Sequence, residues 1–367
     1  MKEIAYIRSG SFYDESRATK EVKTLIKAGY KVHIIGWDRD GHALEKCKKI
    51  FGGDVTYSFY NKPINGVIGY KGIFKMLGFF SFVKNCLFKI ASNLLAVHAC
   101  DLDGGFGAYS VCKRKNIPLI YDIYDYYIDS HNIDGLLGRL IERQEIKLIN
   151  LAQTTIICTE ERKAQIVKAT PQNVVVIYNS PDIEALTQKE IKYDYAYCGA
   201  FGSGRLIEEI NLAYKDNADL KFVFAGSGKL ESEIIKNSKQ FGNFHFIGSI
   251  SYDEVLDLES ESAVISAIYN PNKRNHVLCA PNKFYEALAL GKPLIVCEGT
   301  GIDRIVEKNN LGLVIRYSAN EFYDALRYLL SNPNACVEMG KRGRVLYETI
   351  YSWSIMSNIL TSVYKAL

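Results

Sequence analysis

The run PNKFYEALALGKPLIV, residues 281–296, carries residue types that could hold a phosphorylated ligand. Pro281 stops the preceding loop and Asn282 is suited to cap a helix. Phe284, Ala287, Leu288 and Gly291 recur at helical spacing and should pack inward. Lys283 and Glu286 then share another face near the positive end of that helix. A carboxylate there can accept both hydroxyls of a ribose, while Lys283 and the unpaired amides of the first turn face phosphate. The same glutamate could equally do no more than complement the helix dipole.

Two other junctions in the C-terminal half have loop chemistry suited to an anion. Gly199-Ala-Phe-Gly202-Ser-Gly204-Arg205 joins a flexible backbone to a fixed positive charge just before an expected helix, Leu206 to Tyr214. Its glycine spacing is not that of the dinucleotide fingerprint, and a surface loop with a solvated arginine is the competing reading. Gly226-Ser227-Gly228 follows an apolar run, so its glycines either let a ligand or the opposing domain come close or make a tight turn. Ser251-Tyr-Asp-Glu254 matches a capping box and needs no functional explanation.

The elements around these loops alternate. Ile4 to Arg8, Lys31 to Gly36, Pro118 to Ile123, Thr154 to Cys158 and Val174 to Ile177 read as strands, with a helix from Arg17 to Ala28. Another strand ends at His98. The pattern restarts with Tyr195 to Gly199, Lys221 to Ala225, His245 to Gly248, Ala263 to Ile268, Leu294 to Cys297 and Leu313 to Ile315, each ahead of a helical stretch. Two parallel, doubly wound α/β sheets are expected, divided near residue 181. Domains of 1–180 and 181–350 follow, and the helix-like stretch Trp353 to Ala366, within 351–367, should return to the first of them.

Composition narrows the function class. The chain has 367 residues, 48% of them apolar and 23% charged, which suits two ordinary globular domains. A net charge of +4 from 45 basic and 41 acidic residues does not mark a nucleic-acid protein. Nine cysteines without a C-x-x-C pair suggest reduced core thiols, not a disulfide frame or zinc site. Met1-Lys2-Glu3-Ile4 leads straight into a strand without a signal-peptide stretch, so a cytoplasmic location is expected. Lys71, Lys75, Lys84 and Lys89 interrupt the apolar region Gly66 to Val97, which falls short of a membrane span. Between Tyr70 and Lys89, lysines interleave with Phe74, Leu77, Phe79, Phe80, Phe82, Leu87 and Phe88. That mixture suits either an anionic membrane surface, at the inner face of the cell membrane, or a buried helix pair.

The run from Asn282 through Pro293, preceded by FAGSGKLESEI and FIGSIS, resembles the C-terminal domain of GT-B glycosyltransferases of the retaining family 4 type. RATKEVKTLIKAGYKVHIIGW, VHACDLDGGFGAYSVCKRKNIPLIYDIYD and ICTEERKAQIVKATPQNVVVIYNS follow that family's N-terminal order. The resemblance implies two facing Rossmann-like domains and transfer from a nucleoside-diphosphate sugar to a glycan or lipid-linked acceptor in polysaccharide biosynthesis. It implies no metal and no nucleic acid. Glu286 would hold the ribose, Arg205 and Lys283 the diphosphate, and Gly199, Gly202, Gly226, Ser227, Ser249 and Asn282 would line the donor site. Acceptor contacts would come from Ser9, Gly10, Asp103 and Asp125, with Asp101 and Tyr124 near the reacting sugar. Asp101 and Asp103 could instead cap the helix after Gly104, and His98 reads as a packed strand-end residue.

Two positions depart from the family pattern. Leu278 stands where the first glutamate of E-x7-E is usual, and Tyr124 replaces the histidine of D-x-H-E. These departures leave two further readings: a sugar-nucleotide epimerase of the same fold, or a noncatalytic partner protein.

Overall fold

A computed structural model describes residues 3–13, 15–53, 55–63, 70–185 and 189–367, without the side chains of 70–74. The chain divides into two compact units, one of 1–178 with 354–367 and one of 179–353.

The first unit is built on seven parallel strands: β1 (Glu3–Arg8), β2 (Lys31–Asp38), β3 (Val55–Asn61), β4 (Leu94–Cys100), β5 (Leu119–Ile123), β6 (Thr154–Ile157) and β7 (Val174–Val176). Their order is β3-β2-β1-β4-β5-β6-β7. The chain therefore winds outward in both directions from the β1/β4 boundary, where helices leave opposite faces of the sheet and a crevice opens beyond the strand ends. Ser9, Gly10, Asp101 and Asp103 directly follow those two strands. Strand β3 lies outside the predicted series because its sequence, VTYSFYN, forms a partly exposed edge without a continuous apolar run.

The second unit repeats the plan with six strands: β8 (Tyr193–Cys198), β9 (Phe222–Ala225), β10 (Phe244–Phe246), β11 (Ser262–Ala267), β12 (Leu294–Cys297) and β13 (Gly312–Ile315). Here the order is β10-β9-β8-β11-β12-β13, so the outward winding starts between β8 and β11. Apart from β3, the strands lie within two residues of the runs expected from sequence, since parallel strands covered on both faces are nearly uniform in apolar character.

The helix Asp101–Lys115 starts three residues ahead of Gly104, the expected start. Its glycines have low helical propensity, but a Cβ at Gly107 would lie 2.8 Å from Val83, and one at Gly104 3.0 Å from the Ile7 carbonyl oxygen. Close packing on β1 and on the helix Tyr70–Ile90 thus overrides local preference. The last helix, Trp353–Lys365, carries Tyr364, whose hydroxyl lies 2.6 Å from His98 Nδ1. His98 is fully buried and stacks on Tyr6 with ring centres 4.3 Å apart. All nine cysteines are free thiols. Among the described residues no helix is long and apolar enough to cross a membrane. Part of the Gly66 to Val97 stretch, residues 66–69, lies outside the described residues, as do the side chains of Lys71 and Phe74.

Candidate active site

In the second unit the loop after β8 folds against the loop after β9. Gly226 has φ 137°, and a Cβ there would fall 2.0 Å from the Gly199 carbonyl oxygen. The Gly226 glycine thus serves backbone-to-backbone packing of two loops, a reason neither sequence reading offered. The Phe201 amide donates to the Ser227 carbonyl oxygen at 2.8 Å, and the Gly226 amide to Gly248 at 2.8 Å. Three strand-end loops are thereby tied together. Ser227 and Ser249 are exposed on this surface, and Gly202 is half-buried.

Two cations meet at Tyr197, near the end of β8. Arg205 donates to the Ala200 carbonyl oxygen at 3.1 Å and lies 3.5 Å from the Tyr197 hydroxyl, with its guanidinium 5.7 Å from the Tyr269 ring centre. The Lys283 ammonium lies 4.8 Å from the Tyr197 ring centre, and a Cβ on Gly199 would be 3.0 Å from it. Burial would lower the Lys283 pKa, but Tyr197, Tyr269, Glu286 and Glu259 raise it above its ordinary value, so the ammonium stays charged. Sequence reasoning missed a third cation. Lys273 donates to the Ser203 carbonyl oxygen at 2.9 Å, within the same glycine loop. No strand-helix junction marks Lys273, which reaches the loop from Asn272-Lys273-Arg274 by tertiary folding.

The helix Asn282–Leu290 differs from expectation in two details. Its N-cap is Pro281, not Asn282, and no side chain caps the first turn. Among the described residues nothing accepts from the Asn282 and Lys283 amides, which remain open to an anion. Glu286 is 2% exposed, so it does not sit on a solvated face; nearly the whole helix is buried, including Tyr285 and Ala289. Glu259, a residue with no sequence signal of its own, is fully buried as well.

In the first unit the residues after β1, β4 and β5 come together. Asp101 has φ 55°, and its Oδ1 accepts from the backbone amides of Tyr124 at 2.9 Å and Asp125 at 3.1 Å. Asp101 therefore ties down the loop after β5 instead of capping its own helix. Desolvation pushes its pKa up to about 7, against the lowering effect of Arg8. Asp103 Oδ2 accepts from the Ser9 hydroxyl at 2.9 Å, and burial raises its carboxyl as well. Asp125 is exposed and pairs with Arg162 at 3.2 Å. Gly10 lies against the Arg8 guanidinium, which a Cβ would approach to 3.0 Å.

Tyr124 is held by residues that sequence reasoning passed over. The guanidiniums of Arg8 and Arg17 each lie 4.9 Å from its ring centre. Its hydroxyl is 3.0 Å from that of Tyr6, which donates to Glu21 at 2.5 Å. Arg17 and Glu21, four apart in the first helix, look like an exposed helical pair in sequence but lie 3.1 Å apart in the core. Burial raises the Tyr124 phenol well above its usual range, so it acts as a neutral hydrogen-bonding group.

Residues 197–332 match the family model "Glycosyl transferases group 1". The matched segment holds every donor-side residue named above. Sucrose-phosphate synthase from Thermosynechococcus elongatus has a similar structure, with TM-score 0.74 and 14% identity over 100% of this chain and 99% of that one. Anabaena Alr3699/HepE in complex with UDP-glucose gives 0.74 and 12% over 100% of both chains. S. aureus TarM, in a complex that includes UDP, gives 0.69 and 13% over 99% of this chain and 100% of that one. No curated protein matches. Together the matched domain and the two parallel-sheet Rossmann-like units support a glycosyltransferase of GT-B type.

Proposed function

We propose that this chain transfers a sugar, with retention, from a nucleoside-diphosphate donor to a glycan or lipid-linked acceptor in cell-surface polysaccharide biosynthesis. The observation that carries this reading is the pair of cations, Arg205 and Lys283, at Tyr197 beside the β8/β11 boundary. As the donor's glycosidic bond breaks, positive charge grows on the sugar and negative charge on the departing diphosphate. Cations already fixed by protein contacts stabilise that charge without reorganising. Arg205, Lys283 and the open amides at the start of Asn282–Leu290 supply such a set, and the reaction needs no metal.

Glu286 accepts the ribose hydroxyls, and Gly199, Gly202, Gly226, Ser227 and Ser249 form the backbone surface against the nucleotide. The first unit engages the acceptor through Ser9, Gly10, Asp103 and Asp125, while Asp101 and Tyr124 orient its hydroxyl. Departure from the front face lets the leaving phosphate take the acceptor proton, so no enzyme nucleophile is required. A donor panel tests the reading: the chain should release nucleoside diphosphate from one sugar nucleotide, and release from none would oppose it.

The first unit would work at an anionic membrane surface on the cytoplasmic side. A cavity of about 400 Å³ is lined by Phe80, Phe106, Tyr109 and Leu148, with Lys84 and Lys147 at its wall. Leu136, Leu137 and Leu140 stand exposed on the same helix, Gly135–Leu151, that supplies Lys147. Apolar side chains beside ammonium groups fit acyl chains beside anionic headgroups. In liposome flotation the chain should float with anionic vesicles and much less with neutral ones. Absence from both would remove the membrane from this account.

A further inference from the structure

Arg205 sits at a backbone corner that its own sequence does not favour. Gly204 before it has φ 86° and Leu206 after it φ 59°, so the chain is left-handed on both sides of the arginine. Glycine adopts that conformation readily, whereas in a leucine the Cβ crowds the following carbonyl oxygen. A leucine stays there only when its surroundings hold it. The Leu206 side chain is 1% exposed and belongs to the core with Phe201, Ile207 and Ile210. Its backbone precedes the helix Ile207–Ala213, whose first turn no side chain caps.

The corner is pinned from two other strand ends. The Gly204 carbonyl oxygen accepts from the Asn270 amide at 2.9 Å, in the loop after β11. The Leu206 amide donates to the Tyr317 hydroxyl oxygen at 2.9 Å. Tyr317 lies just beyond the end of β13, although β11 and β12 stand between β8 and β13 in the sheet. The tyrosine is itself firmly seated. The Ser318 amide donates to the Arg316 carbonyl oxygen at 2.7 Å, which closes the turn around Tyr317. The Ser318 side chain accepts from the Glu321 amide and so caps the helix Ala319–Ser331. The Tyr317 ring packs against the same core as Leu206.

The amide that Tyr317 receives belongs to the peptide between Arg205 and Leu206. Relaxation of Leu206 to the right-handed conformation would turn that peptide and redirect the arginine. With the corner held, the guanidinium comes back to the Ala200 carbonyl oxygen at 3.1 Å. We infer that Tyr317 is a positioning residue: by accepting from the Leu206 amide, it holds the left-handed corner that aims Arg205 at the diphosphate of a sugar nucleotide. It acts through Arg205, and the inference rests on the role proposed for that arginine.

A double-mutant cycle tests this, with nucleoside diphosphate release measured on the preferred donor among UDP-, GDP- and ADP-hexoses. Tyr317→Phe removes the hydroxyl and keeps the ring. It should lower kcat by about 10-fold with KM changed by less than about 2-fold, since misplacing a charge-stabilising group loses part of what removing it would. In the Arg205→Ala background the same change should alter turnover by less than about 2-fold, because the group it positions is already gone. A role in folding alone would lower turnover by the same factor in both backgrounds. Such additivity would overturn the role of Tyr317, as would normal turnover by Tyr317→Phe beside a loss of about 100-fold in Arg205→Ala. Normal turnover by Arg205→Ala would instead overturn the role of Arg205, and this inference with it. No release from any donor by the wild-type chain would overturn the proposed function and both roles.

Discussion

Arg205→Ala should lower turnover on the preferred sugar nucleotide by about 100-fold or more, the usual cost of removing one preorganised group that stabilises transition-state charge. The guanidinium is fixed before any ligand arrives, by the Ala200 carbonyl oxygen at 3.1 Å and by Tyr197 and Tyr269. Its removal leaves Lys283 to face the growing diphosphate charge with less help. The loss should fall on kcat more than on KM, since charge on the leaving group grows only as the bond breaks. Arg205→Lys should recover part of the rate, because a point charge replaces a planar fork. Near-normal turnover by Arg205→Ala would remove Arg205 from the mechanism.

Arg17→Met should cost about 3–5 kcal/mol of stability, the range for removing one partner of a buried ion pair. The Arg17 side chain is 2% exposed and reaches Asp122 Oδ1 at 2.8 Å, Glu21 Oε1 at 3.1 Å and the Ile177 carbonyl oxygen at 2.6 Å. Without it, two fully buried carboxyls are left with His98 as the nearby basic group. The deficit should also depend on pH. Burial and Asp122 already raise Glu21 to about 7, against the lowering effect of Arg17. A raised carboxyl binds more protons folded than unfolded, so its contribution to stability falls as pH climbs from about 4.5 to 7. Loss of Arg17 raises Glu21 further and extends that fall upward. Urea denaturation should therefore show a larger deficit at pH 8 than at pH 5, and an equal deficit at both would contradict the ion network.

The alternation of strands and helices was legible because each parallel strand is an apolar run bounded by turn residues, as LIVC at 294–297 shows. Strand β3 escaped because an edge strand can mix polar and aromatic residues. The loops at the ends of β8 and β9 could be located from their glycines, yet the reason for Gly226 was not visible, since its contact is with the Gly199 backbone. The same limit applies to charges. Glu286 and Arg17 look like surface residues in a one-dimensional pattern, yet both are buried, Arg17 against a partner far along the chain, Asp122. Glu259 itself sits in LDLESES, where nothing distinguishes it from its acidic neighbours. Periodicity reveals which face of an element is apolar, but not which polar group lies opposite a buried acid.

The central claim, that the chain moves a sugar from a nucleoside-diphosphate donor, is tested most directly by incubating it with UDP-, GDP- and ADP-hexoses and measuring nucleoside diphosphate released. Release is expected from one of these donors, increased by a glycan or lipid-linked acceptor and reduced about 100-fold or more in Arg205→Ala. No release from any donor, together with no nucleoside diphosphate bound, would contradict it and leave a noncatalytic partner protein with the GT-B fold.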